Sequence, residues 1–173
     1  SRHFLDWRNE PLHFKISPDL AALPLPAQLP VSGLSALSAL HAPEIGLEAT
    51  PSLRQLAYLL YYSAGITKKL LGPSGETYFR AAPSAGALYP IEIYLVCGDL
   101  PGLAAGVYHF NPAQFGLHQL RQGDYRGYLA AASAQEREVA RAPLVLLFSG
   151  LTWRTAWKYQ ARSYRYHYWD CGT

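Results

Sequence analysis

Methionine is absent from the sequence, cysteine occurs only twice, and charged residues make up just 16%. Without a methionine, Ser1 is not an initiator, and the chain reads as a processed or excised piece. Cys97 and Cys171 lack metal-ligand spacing and are too few for a disulfide framework, which points to a reducing, cytoplasmic compartment. No run of about 18 apolar residues offers a membrane span, and the opening SRHFLDWRNEPLHFK has no apolar centre of signal-peptide length. The net charge of +3 is scattered rather than blocked. Neither nucleic acid nor a membrane is therefore expected as a partner. No repeat of about 20–50 residues occurs, which excludes a solenoid.

What is present is apolar and aromatic: half of the residues are hydrophobic, and 13 are tyrosine. A chain of 173 residues with that content can bury a core of its own, as one domain or most of one. Residues 1–49 read as a Pro/Leu-rich N-terminal arm. Pro18, Pro24, Pro26, Pro30 and Pro43 forbid a long helix or central strand. Leu20, Leu23, Leu25, Leu29, Leu34, Leu37 and Leu40 are too apolar for a free linker, so the arm is expected to pack on another surface.

Residues 50–173 form a second region. Thr50 can cap a helix, Pro51 suits its first position, and Leu53, Leu56, Leu59 and Leu60 recur at helical spacing as far as Gly65. A polar turn from Gly72 to Glu76 and a short loop lead to a buried strand over Ile91–Val96. Val107–Phe110 and Leu117–Leu120 make a hairpin through Asn111-Pro112. A helix is expected from Asp124 through Ala134, PLVLLFS is another buried strand, and Trp153 onward reads as helix to the end. The fold class is mixed α+β.

The loop RAAPSAGALYP, at 80–90, concentrates small side chains immediately before a strand. Such a loop can present several amides and one hydroxyl to the polar edge of a flat ligand. By itself, PSAG also reads as a tight turn feeding a strand. The wider pattern is YYSAGIT at 61–67, RAAPSAGALYPIEIYLV at 80–96, GVYHFNP at 106–112, LRQGDYR at 120–126, TWRTAWKYQARSYRY at 152–166 and WDCGT at 169–173. In this order the blocks resemble the SagB-type azoline dehydrogenases of the nitroreductase superfamily. The opening HFLDWRNEPLHFK resembles the leader of that family's two-module members.

The resemblance implies a nitroreductase-like sandwich, an antiparallel-rich sheet flanked by helices, incomplete at the C-terminus. It implies FMN at a dimer or pseudo-dimer interface, with Arg80, Pro83, Ser84, Ala85, Gly86 and Ala87 as flavin contacts. The family's catalytic Lys-Tyr pair matches Lys158 and Tyr159, as base and partner. On a helical reading Arg154, Arg162 and Arg165 lie within two turns of Lys158, and three cations would favour its neutral, basic form. The bland alternative is a solvated helix face with the Lys158 stem laid over aromatics. Asp170, Cys171, Gly172 and Thr173 resemble a helical turn near the flavin. His109 and His118 stay unassigned, and no metal site is expected.

One departure matters. Nitroreductases grip the FMN phosphate with an Arg-x-Ser-x-Arg cluster on the first helix segment, yet not one Lys or Arg occurs between Ile16 and Leu53. A second nitroreductase-like half or partner chain is therefore expected to supply the grip. Three functions compete: dehydrogenation of azoline rings in a ribosomally made peptide, NAD(P)H-dependent reduction of a small molecule, and a non-catalytic half that scaffolds a catalytic partner.

Overall fold

A computed structural model of the chain describes residues 4–28, 33–41, 50–72 and 75–172. Its centre is a five-stranded sheet in the order β1-β6-β5-β4-β7, antiparallel at every junction. The strands are β1 (Ala22–Pro24), β4 (Ile91–Cys97), β5 (Gly106–Asn111), β6 (Gly116–Gln122) and β7 (Leu144–Gly150). A separate two-stranded ribbon pairs β2 (Ile66–Gly72) with β3 (Gly75–Arg80). The helices are α1 (Ala36–Leu40), α2 (Leu53–Ala64), α3 (Arg126–Ala132), α4 (Arg137–Arg141), α5 (Thr152–Tyr159) and α6 (Ser163–Cys171).

The two faces of the sheet differ because successive side chains point opposite ways. On one face Ile93, Leu95 and Cys97 of β4, Tyr108 and Phe110 of β5 and Leu117 of β6 meet Leu56, Ala57 and Leu60 of α2 in one buried cluster. Each of the buried Ile, Leu and Phe side chains contributes about 1.5–3 kcal/mol by leaving water. The other face is polar: Glu92 and Tyr94 of β4, His109 of β5 and His118 of β6 alternate with the core residues. Segment 12–15 and α5 lie over it, since Lys15 Nζ donates to the Tyr94 hydroxyl (2.5 Å) and Arg154 contacts Glu92.

Several elements differ from the expectation. The α2 cap is Ser52, not Thr50: its hydroxyl accepts from the Gln55 amide while the Gln55 side chain accepts from the Ser52 amide, and this reciprocal box decides the start. The stretch before the loop is the β2–β3 hairpin. Its residues are mostly exposed, so no alternation of apolar and polar residues marked it. The strand over PLVLLFS lies at the sheet edge with its second half exposed, not buried. The final helix is broken at Gln160, whose φ is 50°. The helix expected over Asp124–Ala134 is shorter, and α4 follows it.

The arm reaches the body through β1, whose Ala22, Leu23 and Pro24 face His118, Leu117 and Gly116 of β6. Proline is tolerated there because this is an edge strand. Leu25 is buried in the core, whereas Leu20, Leu23, Leu34, Leu37 and Leu40 are exposed. Leu25 is the member of that apolar series that is buried in the core; Leu29, Pro30 and Pro43 lie outside the described residues. Among the described residues no helix is long and apolar enough to cross a membrane.

Candidate functional site

The loop from Arg80 to Pro90 joins the two sheets and follows an unusual path. Gly86, Ala87 and Tyr89 have φ of 65°, 56° and 47°. Left-handed backbone costs a residue with a Cβ roughly 1–2 kcal/mol, so neighbouring contacts must hold it. The Ala87 amide donates to the Ser84 carbonyl (3.1 Å), and the Tyr89 amide to Ser84 Oγ (2.9 Å). The Tyr89 hydroxyl accepts from the Arg80 amide (2.9 Å), and the Tyr89 carbonyl accepts from Arg154 Nη1 (2.8 Å). This winding leaves the amides of Ala85 and Gly86 without an acceptor among the described residues, available to a ligand oxygen or ring nitrogen.

Lys158 and Tyr159, at the end of α5, meet this loop at Gly86. A Cβ there would lie 2.6 Å from the Tyr159 hydroxyl and 3.0 Å from Lys158 Nζ. Residues more than 70 positions apart are thus in contact, Gly86 with both members of the pair. Burial raises the Tyr159 phenol above its ordinary value, with Tyr166 adding and Arg162 opposing, so Tyr159 is protonated at neutral pH. Lys158 borders a cavity of about 420 Å³ with Gly86, Ala87, Leu88, Trp157, Trp7 and His13.

The cationic surroundings expected for Lys158 take a different form. Arg154 is buried and ion-paired to Glu92 (Nη1–Oε1 2.5 Å), so its charge is compensated. The break at Gln160 removes Arg162 and Arg165 from the continuous helix that had placed them. Glu92 also accepts from His109 Nε2 (2.7 Å). Burial pushes the Glu92 carboxyl up, but the His109 hydrogen bond and the Arg154 charge outweigh it, and the net shift is downward. Glu92 Oε1 and Arg154 Nη1 are in ion-pair contact, and the same guanidinium nitrogen donates to the Tyr89 carbonyl.

Pro83 and Ser84 face the other way, into a cleft of about 260 Å³ bordered also by Ser63, Ala64, Arg80, Ile91, Phe148, Asp170 and Cys171. Ser84 Oγ donates to Asp170 Oδ2 (2.5 Å), which ties the end of α6 to the loop. The loop therefore stands between two spaces, the Ser84 cleft and the Lys158 cavity. Arg80 is buried, with its guanidinium carbon 4.7 Å from the Tyr89 ring centre and 5.4 Å from that of Phe14, and Nη2 donates to the His13 carbonyl (3.2 Å). Burial lowers its pKa to about 10, and its Nε has no hydrogen-bond partner among the described residues. The family resemblance expects Asp170 and Cys171 in a helical turn near the flavin, and both border the Ser84 cleft; sequence reasoning missed Tyr89 and Glu92. A charged residue in the middle of IEIYLV was the available signal for Glu92.

The residues fit the ring of a flavin better than its phosphate. Small side chains and two acceptor-free amides suit a flat polar edge. The cleft, however, is smaller than the roughly 300–1,000 Å³ that encloses a typical ligand. Its one cation among the described residues, Arg80, is already engaged with His13 and two aromatic rings. A phosphate would need donors from elsewhere.

No protein-family model matches the chain. A Methanocaldococcus jannaschii protein named as a nitroreductase is 32% identical over 121 residues, 70% of this chain and 58% of the relative. The trifolitoxin-processing protein TfxB of Rhizobium leguminosarum bv. trifolii is 45% identical over 62 residues, 35% of this chain and 17% of that protein. The chain thus spans 58% of the first relative's length and far less of the second's. Among solved structures, an Anabaena variabilis protein described as a nitroreductase aligns with a TM-score of 0.80 at 28% identity, over 98% of this chain and 32% of that one. The E. coli microcin synthetase McbBCD complex, with truncated pro-MccB17 bound, aligns with a TM-score of 0.56 at 21% identity, over 90% of this chain and 60% of that one. That last likeness concerns the fold alone. Sheet order, flanking helices and these alignments agree that the fold is that of the nitroreductases.

Proposed function

We propose that the chain is the loop- and lysine-bearing part of an FMN-dependent oxidoreductase of SagB type that dehydrogenates azoline rings of a ribosomally made peptide to azoles. The observation that carries this reading is the meeting of Lys158 and Tyr159 with Gly86 of the PSAG loop. The likeness to a trifolitoxin-processing protein supports a peptide substrate.

Oxidation of an azoline removes a proton and a hydride from neighbouring ring atoms. Bound FMN would supply the two-electron acceptor. Lys158 takes the proton from the ring carbon, and Tyr159, kept protonated by burial, donates a hydrogen bond that orients the ring or the amine. The amides of Ala85 and Gly86 would hold the polar edge of the flavin ring, with Arg80, Pro83 and Ser84 on the cleft side of the loop and Ala87 on the Lys158 side. Phosphate donors would come from a second nitroreductase-like half or partner chain, since Arg80, the one cation bordering the cleft among the described residues, is engaged with the His13 carbonyl and two aromatic rings.

The test is anaerobic mixing of the flavin-loaded, full-length protein with an azoline-containing peptide. Loss of flavin absorbance, abolished by Lys158→Ala with flavin still bound, is the expected result. Full peptide oxidation by the Lys158→Ala protein would remove the lysine from the mechanism. Rapid bleaching by NAD(P)H and none by peptide would favour small-molecule reduction, the reading that the nitroreductase-named relative supports. Bleaching by neither would favour a scaffolding half.

A further inference from the structure

The buried Glu92–Arg154 pair has no place in the chemistry above, yet it stands between the two elements that meet at Gly86. α5 is eight residues long, and no side chain caps its N-terminus. Helices shorter than about 12 residues are marginal without tertiary support. The orientation of α5 therefore depends on its anchors. Thr155 Oγ1 meets His167 Nε2 (2.7 Å) on α6, and Trp157 Nε1 donates to the Asp6 carbonyl (2.8 Å). Arg154 ties α5 by hydrogen bonds to the Tyr89 end of the loop and to the arm: Nη1 donates to the Tyr89 carbonyl (2.8 Å), while Nε donates to the Leu12 carbonyl (3.0 Å). Arg154 lies one helical turn before Lys158, on the same side of α5.

Glu92 keeps this guanidinium in place. Its carboxylate contacts Arg154 Nη1 at 2.5 Å and is itself fixed by His109 Nε2 at 2.7 Å. All three side chains are at least 96% buried, with 3%, 4% and 1% exposure for Glu92, Arg154 and His109. A buried ion pair is seldom a net source of stability, because desolvation offsets the attraction and a hydrophobic replacement is often as stable. What such a pair can supply is a fixed geometry, and here that geometry joins loop, arm and helix.

We propose that Glu92 and Arg154 are positioning residues for Lys158 and Tyr159: together they fix α5 against the Tyr89 end of the loop, so that the amine and phenol stay at Gly86. This rests on the reading of Lys158 and Tyr159 as the working pair. The planar fork of arginine serves Leu12, Tyr89 and Glu92 in fixed directions at once. Lysine, a point charge, keeps the charge and loses the directions.

Two variants of the full-length, flavin-loaded protein test this, Arg154→Lys and Glu92→Gln. Acetic anhydride labelling, read by mass spectrometry, follows Lys158, with Lys68 and Lys69 on the exposed β2 strand as references. Labelling of Lys158 should rise severalfold in both variants while the references stay constant. With azoline peptide, kcat should fall about 10- to 100-fold, the usual cost of a displaced reacting group, with KM and flavin content retained. Unchanged Lys158 labelling in a folded variant, or a proportional rise at all three lysines, overturns the proposal. Glu92→Gln preserves side-chain shape and decides the matter if Arg154→Lys does not fold. If the wild-type protein oxidises no peptide, the functional reading fails, and the labelling still answers the positioning question.

Discussion

Gly86 is where the loop meets Lys158 and Tyr159 of α5, and two physical reasons disfavour a side chain there. Its φ of 65° lies in the left-handed region, and an added Cβ would stand 2.6 Å from the Tyr159 hydroxyl. Lys158 and Tyr159 can yield at their tips, so the backbone term dominates, roughly 1–2 kcal/mol. Gly86→Ala should lower stability by about that much in urea unfolding and push Lys158 and Tyr159 off the loop. A second set of residues governs the response to acid. Burial, with His109 adding, holds His118 below its ordinary 6.5, and burial holds His167 below 6.5 although Asp170 partly restores it. A depressed histidine is neutral in the folded protein where the unfolded chain already binds a proton. Its contribution is whole above pH 6.5 and is lost as pH falls from there through the folded value. The urea midpoint should therefore drop between about pH 7 and pH 5, and His118→Gln should flatten that slope. Glu92 acts later: its carboxyl is depressed from 4.5, so its contribution fades only as pH falls below that value.

Among the elements, those with a single buried face were legible in the sequence, and those without one were not. β4, β5, β6 and α2 share the core cluster, so burial imposed a period of two on the strands and near four on the helix. The β2–β3 ribbon escaped notice because Lys68, Lys69, Leu70 and Leu71 are all exposed. The break at Gln160 carries neither glycine nor proline as a signal. The loop and Lys158 were singled out through family resemblance, but Glu92 and Arg154 are 62 positions apart, and spacing along a chain says nothing of a pairing made by tertiary packing. The start of α2 offers a measurable case. Ser52 and Gln55 satisfy each other's amides, whereas Thr50 lies outside the helix. Ser52→Ala should cost about 1 kcal/mol in equilibrium unfolding, and Thr50→Ala should cost much less; equal losses would mean that the cap is misassigned.

At the scale of the whole molecule, the decisive feature is an imbalance between what the loop offers and what the phosphate of the proposed FMN would require. The Ser84 cleft presents amides, a hydroxyl and apolar walls, and Arg80 is the one cation at its border among the described residues. That guanidinium is held by the His13 carbonyl and by two aromatic rings, so turning it to a phosphate would abandon those contacts. Exposed Phe148, Tyr164, Tyr168 and Trp169 lie on the strand and helix beside the cleft, an apolar surface of the kind that a second half would cover. If the grip comes from that half, this chain alone should not distinguish FMN from riboflavin, which differ only in the phosphate. Each charge-assisted hydrogen bond to a phosphate is worth about 1.5–3 kcal/mol, so two of them in the assembled protein should favour FMN by roughly 100-fold or more. Equilibrium dialysis of residues 1–173 against both ligands should give equal, weak binding, and the full-length protein should prefer FMN strongly. A marked preference for FMN by the isolated chain would place the phosphate donors within it and remove the need for a partner at this site.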